Sequence, residues 1–138
     1  CHPANHSSFV EFGGIWPPHC VEGTRGGAIH ESFYTKVENP ANRPDPNRNI
    51  FRKGCKQDEE QYSGYEAVNS NGVALKDYAN KDVVVSGIAT EYCVYNTVNE
   101  FLKSGRNVEL LHDALGYVDY EGHKKTIKDL RKMVTVVE

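Results

Sequence analysis

Cys93 lies between a segment built for a strand and a segment built for a helix. Val83-Val84-Val85 is a β-branched apolar run of the kind that forms a buried strand. Gly87 and Thr90 break that run, and from Val94 the apolar residues fall at Val94, Val98, Phe101 and Leu102, close to a helical period. The cysteine is therefore expected where a strand turns into a helix start. Unpaired N–H groups and the helix dipole favour an anion there, the setting in which a thiol becomes a nucleophile. Backbone N–H groups near Ala89 and Cys93 could form an oxyanion hole for acyl transfer. A small buried cysteine can equally be filler, so the functional reading depends on what accompanies it.

Two further groups accompany it. His2-Pro3-Ala4-Asn5-His6 and Trp16-Pro17-Pro18-His19-Cys20 place histidines in loops stiffened by proline and glycine. Imidazoles held in this way can converge on a metal, with His2 and His19 the candidates and His6 a weaker one, although histidines in such loops are often simply solvated. Lys53, in Phe51-Arg52-Lys53-Gly54, is expected at a strand end, where a lysine can hold a substrate or activate a thiol; strand-end lysines are usually solvated.

The elements needed to position these residues are legible mainly in the second half. Residues 1–30 and 39–49 are rich in Gly, Pro, His and Asn and read as long loops. Strands are expected over 50–53, 82–88, 108–111 and 133–137, with helices over 94–104 and 122–132 and a weak one over 73–79. Gly105 suits the position just past the helix over 94–104. Strand–helix alternation with short links predicts a parallel α/β sheet whose active site lies beyond the strand carboxyl ends. Cys93 and Asp113-Ala114 fall at that edge.

Composition narrows the partners. With 138 residues the chain is expected to be one domain, 1–138. A net charge of −3 and a pI near 6.1 argue against nucleic acid as a partner, and no segment is long and apolar enough for a membrane. Cys1, Cys20, Cys55 and Cys93 form no C-x-x-C pair and no disulfide framework, which points to a reducing, cytoplasmic compartment. A mean hydropathy of −0.61 is low for an α/β domain, and the opening on Cys1-His2-Pro3 suggests an N-terminally truncated piece.

Taken together, these segments resemble the nicotinamidase branch of the isochorismatase-like cysteine hydrolases. The match is carried by His2-Pro3-x-x-His6-x-Ser8-Phe9, by Trp16-Pro17-x-His19-Cys20-Val21-x-Gly23-Thr24-x-Gly26, by Lys53, and by Tyr62-Ser63-Gly64-Tyr65. It is completed by Gly87-Ile88-Ala89-Thr90-Glu91-Tyr92-Cys93-Val94 and Asp113-Ala114. The resemblance implies a three-layer α/β/α fold with a parallel sheet. It implies that Cys93 attacks an amide carbonyl to form an acyl-enzyme, with Lys53 the triad lysine. The amides of Ala89 and Cys93 would form the oxyanion hole, with a non-proline cis peptide between Ile88 and Ala89. It also implies that His2 and His19 are two of three protein ligands of a divalent metal, typically zinc, that holds the pyridine nitrogen of nicotinamide. Trp16 and Tyr92 would be the aromatic walls around the flat ring, and His6 would not be a ligand.

The resemblance also implies a catalytic Asp and a metal-binding Asp in positions upstream of Cys1, together with two strands. One of those strands would flank the strand over 82–88, making it central. The expected activity is hydrolysis of nicotinamide to nicotinate and ammonia in NAD salvage, by a chain compatible with a homo-oligomer. The alternatives are another carbamoyl or ureido amidase of the family, or a truncated, non-catalytic interaction subunit. An isochorismatase is disfavoured, because that branch carries no nucleophilic cysteine at this position.

Overall fold

In a computed structural model, which describes residues 1–138, the chain divides into two compact units. Unit 1 comprises residues 1–61 and 67–74, and unit 2 comprises residues 62–66 and 75–138.

Unit 1 is built largely from turns, as its proline, glycine and asparagine content dictates. Its one α-helical turn, α1, is Ser32–Thr35. Short 3₁₀ turns cover Val10–Phe12, Arg25–Gly27 and Pro40–Asn42, the last opened by Asn39, whose side chain accepts from the Ala41 amide. Isolated bridges pair His2 with Val21, Phe9 with Trp16, and Val68 with both Arg52 and Ala74. The strand expected over 50–53 does not form: only Arg52 finds a partner, exchanging two hydrogen bonds with Val68. A strand persists only where successive residues meet an extended neighbour, and the residues around Val68 turn away after one pair. Phe9, fully buried, anchors this unit together with His6.

Unit 2 contains the alternation read from the sequence. α2, Leu75–Tyr78, is a single turn within the weak helix expected over 73–79. It is followed by β1, Asp82–Gly87; a π-helical turn, Thr90–Val94; and α3, Tyr95–Lys103. Then come β2, Asn107–Leu115; α4, Tyr120–Leu130; and β3, Thr135–Val137. Both β1–β2 and β2–β3 pair in parallel, with Val83 opposite Val108, Val85 opposite Leu110 and Leu110 opposite Val136. The sheet order is β1-β2-β3, so β2 and not β1 lies in the middle. Strand order follows chain connection here, each crossover helix adding the next strand on the same side, and β2 is the neighbour of β1 that the chain itself was expected to supply.

The core explains the elements. Val94 at the end of the π-helical turn and Val98 and Phe101 on α3 meet Val108 and Leu110 on β2 and Ile127 and Leu130 on α4 in one buried cluster. Spacings of three and four residues put each helix's apolar members on a single stripe, and a spacing of two puts Val108 and Leu110 on one face of β2. Both helices therefore cover the same face of the sheet. Gly105, at φ 81°, ends α3 in the left-handed conformation that glycine adopts without strain. Asp119 starts α4 by accepting from the Gly122 amide at 2.6 Å.

Candidate active site

The histidine loops are brought together by backbone pairing within unit 1. The His2 amide donates to the Cys20 carbonyl at 2.9 Å, and the Glu22 amide donates to the His2 carbonyl at 2.8 Å. This lays the segment carrying His19 beside His2, with ring centroids 4.9 Å apart, edge to face. Nδ1 of His2 lies 2.9 Å from the Gly54 carbonyl oxygen, and Nδ1 of His19 lies 2.8 Å from that of Pro17. A carbonyl oxygen only accepts, so in both rings Nδ1 carries the proton and Nε2 keeps its lone pair. Metal-ligating histidines are commonly oriented in this way, with the outer ring nitrogen donating to a carbonyl.

His2 is nearly enclosed while His19 is exposed. Burial pushes the His2 imidazole down from 6.5 to about 4, and the neighbouring His6, N-terminal and His19 charges act the same way; the Gly54 hydrogen bond opposes them. His2 is therefore neutral at ordinary pH, the form a metal ligand requires. Gly54, at φ 63°, makes room for this ring: a Cβ there would stand 2.6 Å from His2 Cε1.

His6 behaves differently. It is fully buried, 4.2 Å from the His2 ring. Its Nδ1 accepts from the Ser8 amide at 3.2 Å and lies 2.7 Å from Ser8 Oγ, while Nε2 lies 3.2 Å from the Glu59 carbonyl oxygen and donates to it. Both ring nitrogens are engaged, so His6 is a structural tie between the loop at residues 6–8 and the loop at Glu59.

Trp16 is half-buried, its ring 6.3 Å from that of His19. Lys53 is also half-buried, and its ammonium donates to the Gln61 carbonyl at 2.9 Å. Gln61 in turn accepts from the Gly54 amide at 2.9 Å, so one residue ties down both Lys53 and the glycine beneath His2.

In unit 2 the Ile88–Ala89 peptide bond is cis, as the resemblance implied. Cys93 is half-buried and sits inside the π-helical turn rather than at the first residue of a helix. Its carbonyl accepts from Thr97 Oγ1 at 2.7 Å. Tyr92 precedes it, with its ring 5.7 Å from that of Tyr62. Two residues that sequence reading passed over hold this turn. Thr90, fully buried, donates through Oγ1 to the Gly116 carbonyl at 2.8 Å, and its amide donates to the same oxygen at 2.9 Å. Glu91 Oε1 accepts from the amides of Val118 and Asp119, both at 2.7 Å. Both residues stood in the motif around Cys93, but nothing local pointed to residues 116–119 as their partners. Asp113 enters an exposed ion-pair group: Nδ1 of His112 lies 3.5 Å from Asp113 Oδ1 and 3.2 Å from Glu138 Oε2, and Glu138 also meets Arg131 at 3.0 Å.

Parallel strands, the helices linking them and a turn at the carboxyl end of β1 define an α/β domain of the type that carries its chemistry at the strand ends. The chain belongs to the isochorismatase domain family, whose description matches residues 60–138. The nicotinamidase/pyrazinamidase of Mycobacterium tuberculosis is 30% identical over 134 residues, covering 94% of this chain and 66% of that protein. Among solved structures, the pyrazinamidase of Pyrococcus horikoshii in complex with zinc superimposes with a TM-score of 0.78 and 34% identity, covering 99% of this chain and 70% of that one. PnC1 from L. infantum in complex with nicotinate gives a TM-score of 0.78 at 33% identity, covering 99% and 67%. This chain spans between 45% and 66% of the length of the curated relatives it matches. No helix is long and apolar enough to cross a membrane.

Proposed function

We propose that this chain carries the nucleophile and part of the metal site of a metal-dependent amidase that hydrolyses nicotinamide to nicotinate and ammonia. The observation that supports it most strongly is the shared tautomer of His2 and His19, each with Nδ1 tied to a carbonyl and Nε2 kept as a lone pair. Two imidazoles tied alike at Nδ1 in adjoining loops fit a borderline-soft divalent ion such as zinc. The names of the relatives, and the zinc and nicotinate in two solved structures similar to this chain, support the same reading.

His2 and His19 would hold the ion through Nε2, and the ion would supply a Lewis-acidic point for a heteroaromatic nitrogen. Trp16 and Tyr92 would bind the faces of the flat ring. The thiol of Cys93 gives up its proton and adds as thiolate to the amide carbonyl, the C–N bond breaks, and the departing nitrogen takes up that proton and leaves as ammonia. Water then adds to the thioester, releasing nicotinate and restoring the thiol. The amides of Ala89 and Cys93 would donate to the oxyanion in both halves. Lys53 would hold the thiolate and the departing group by charge. The product is a pyridine carboxylate suited to NAD salvage in the cytoplasm.

The test is ammonia release from nicotinamide by the whole protein. Cys93→Ala should abolish turnover while leaving the fold intact, and His2→Ala should remove most of the bound zinc. A Cys93→Ala protein that still released ammonia at the native rate would overturn the reading.

A further inference from the structure

We infer that His123, on α4, is a positioning residue that holds the Cys93 turn in its reactive shape by donating a hydrogen bond to Thr90. This rests on the amidase reading above.

Proton counting fixes the direction of this bond. Nδ1 of His123 lies 3.0 Å from Thr90 Oγ1. Thr90 has one hydroxyl hydrogen, and it is given to the Gly116 carbonyl at 2.8 Å, an oxygen that can only accept. Towards His123 the hydroxyl can therefore only accept, and His123 must present Nδ1–H. The tautomer of a buried ring is thus dictated by a carbonyl it does not touch. Thr90 is fully buried and His123 nearly so, so neither group has water as a substitute partner.

The chain of bonds leads to the proposed chemistry. Thr90 follows Ala89 directly and opens the turn that contains Cys93. Its amide also bonds Gly116. Glu91 grips the Val118 and Asp119 amides, and Asp119 caps the helix that carries His123. The loop leading into α4 and the first turn of that helix thus act as a jig for Ala89–Cys93. The His123 ring also lies against those of Tyr117, centroids 4.8 Å apart, and Tyr120, stacked at 6.5 Å. A shift of the turn by a fraction of an ångström would misplace both the thiol and the two amides proposed as the oxyanion hole.

Three variants separate this role from simple ring packing. Asn carries a donor nitrogen where His carries Nδ1, so His123→Asn should keep kcat within about twofold of wild type. Phe keeps the ring and removes the donor, so His123→Phe should lower kcat on nicotinamide about tenfold, the scale of one lost hydrogen bond, with KM little changed. The alkylation rate of Cys93 by iodoacetamide, mapped by mass spectrometry, should fall in parallel. Thr90→Val removes both the acceptor for His123 and the hydroxyl bond to Gly116 with little change of shape, and should lower kcat and thiol reactivity at least as far as His123→Phe. Adding His123→Phe to it should cost little more, because the bond that His123 makes is already gone.

Native kcat and thiol reactivity in His123→Phe, or equal damage in the Asn and Phe variants, would overturn the assignment. So would additive losses in the double variant. If the wild-type protein fails to hydrolyse nicotinamide, the amidase reading falls, and the alkylation comparison still decides the role of His123.

Discussion

Acid should loosen the metal-free protein through His2, and the size of the effect follows from the burial of its ring. In the folded chain His2 titrates near 4 and in the unfolded chain near 6.5. Between those values the unfolded state binds a proton that the folded state refuses, so stability must fall as pH falls. The contribution is complete above 6.5, is lost progressively below it, and levels off near 4. A difference of that size corresponds to about 3 kcal/mol at full extent, with a slope approaching about 1.4 kcal/mol per pH unit within the window. The comparison protein is His2→Asn, which can still donate to the Gly54 carbonyl but cannot titrate. Trp16 is the single tryptophan and lies near His19 in unit 1, so its fluorescence reports on this unit. Urea unfolding in chelator at pH 7.5, 6.5, 5.5 and 4.5 should show the wild type losing roughly 2 kcal/mol more than His2→Asn across the series. Parallel curves for the two proteins would refute the account, because they would place the acid sensitivity in other groups.

Four further outcomes are expected. Gly54→Ala should lower stability by about 1–3 kcal/mol and weaken zinc uptake, measured by urea unfolding and metal titration, because the new methyl enters the His2 ring at a positive φ. Leu110→Ala should cost about 2–5 kcal/mol by thermal or urea unfolding, since Leu110 is fully enclosed between α3 and α4. Asp119→Ala should cost about 0.5–2 kcal/mol through loss of the α4 cap, seen in the same unfolding assay. Peptide mapping after brief iodoacetamide treatment should find Cys93 labelled ahead of Cys20 and Cys55, although both of those are more exposed; labelling in the order of exposure would contradict a reactive Cys93.

The second half of the chain was readable because its code is local. Val94, Val98 and Phe101 mark a helical face, Val83–Val85 mark a strand, and Gly105 marks a stop, each by spacing alone. The structure places elements over these segments within a few residues of the expected bounds. The first unit was readable as loops for the same reason, since proline and asparagine exclude long regular elements. The strand expected over 50–53 failed where the reading needed a partner. A strand is a property of two segments, and Arg52 met Val68 for a single pair only. The neighbour expected for β1 within the chain, β2, is the one it has, because the crossover through α3 delivers that strand beside it.

The sequence by itself determined the alphabet of the site: a thiol after a strand, histidines beside prolines, a lysine before a glycine, and the family to which that order belongs. What it could not determine is the state of each group. A histidine's proton sits on whichever nitrogen meets an acceptor. For His2 that acceptor is the Gly54 carbonyl, 52 residues away, and for His123 it is a hydroxyl whose own hydrogen is already given to Gly116. His6 looked like His2 as a letter and became a structural tie once Ser8 and Glu59 occupied both its nitrogens. Tertiary structure decided these roles because hydrogen-bond capacity is finite, and only the fold says which partner takes it.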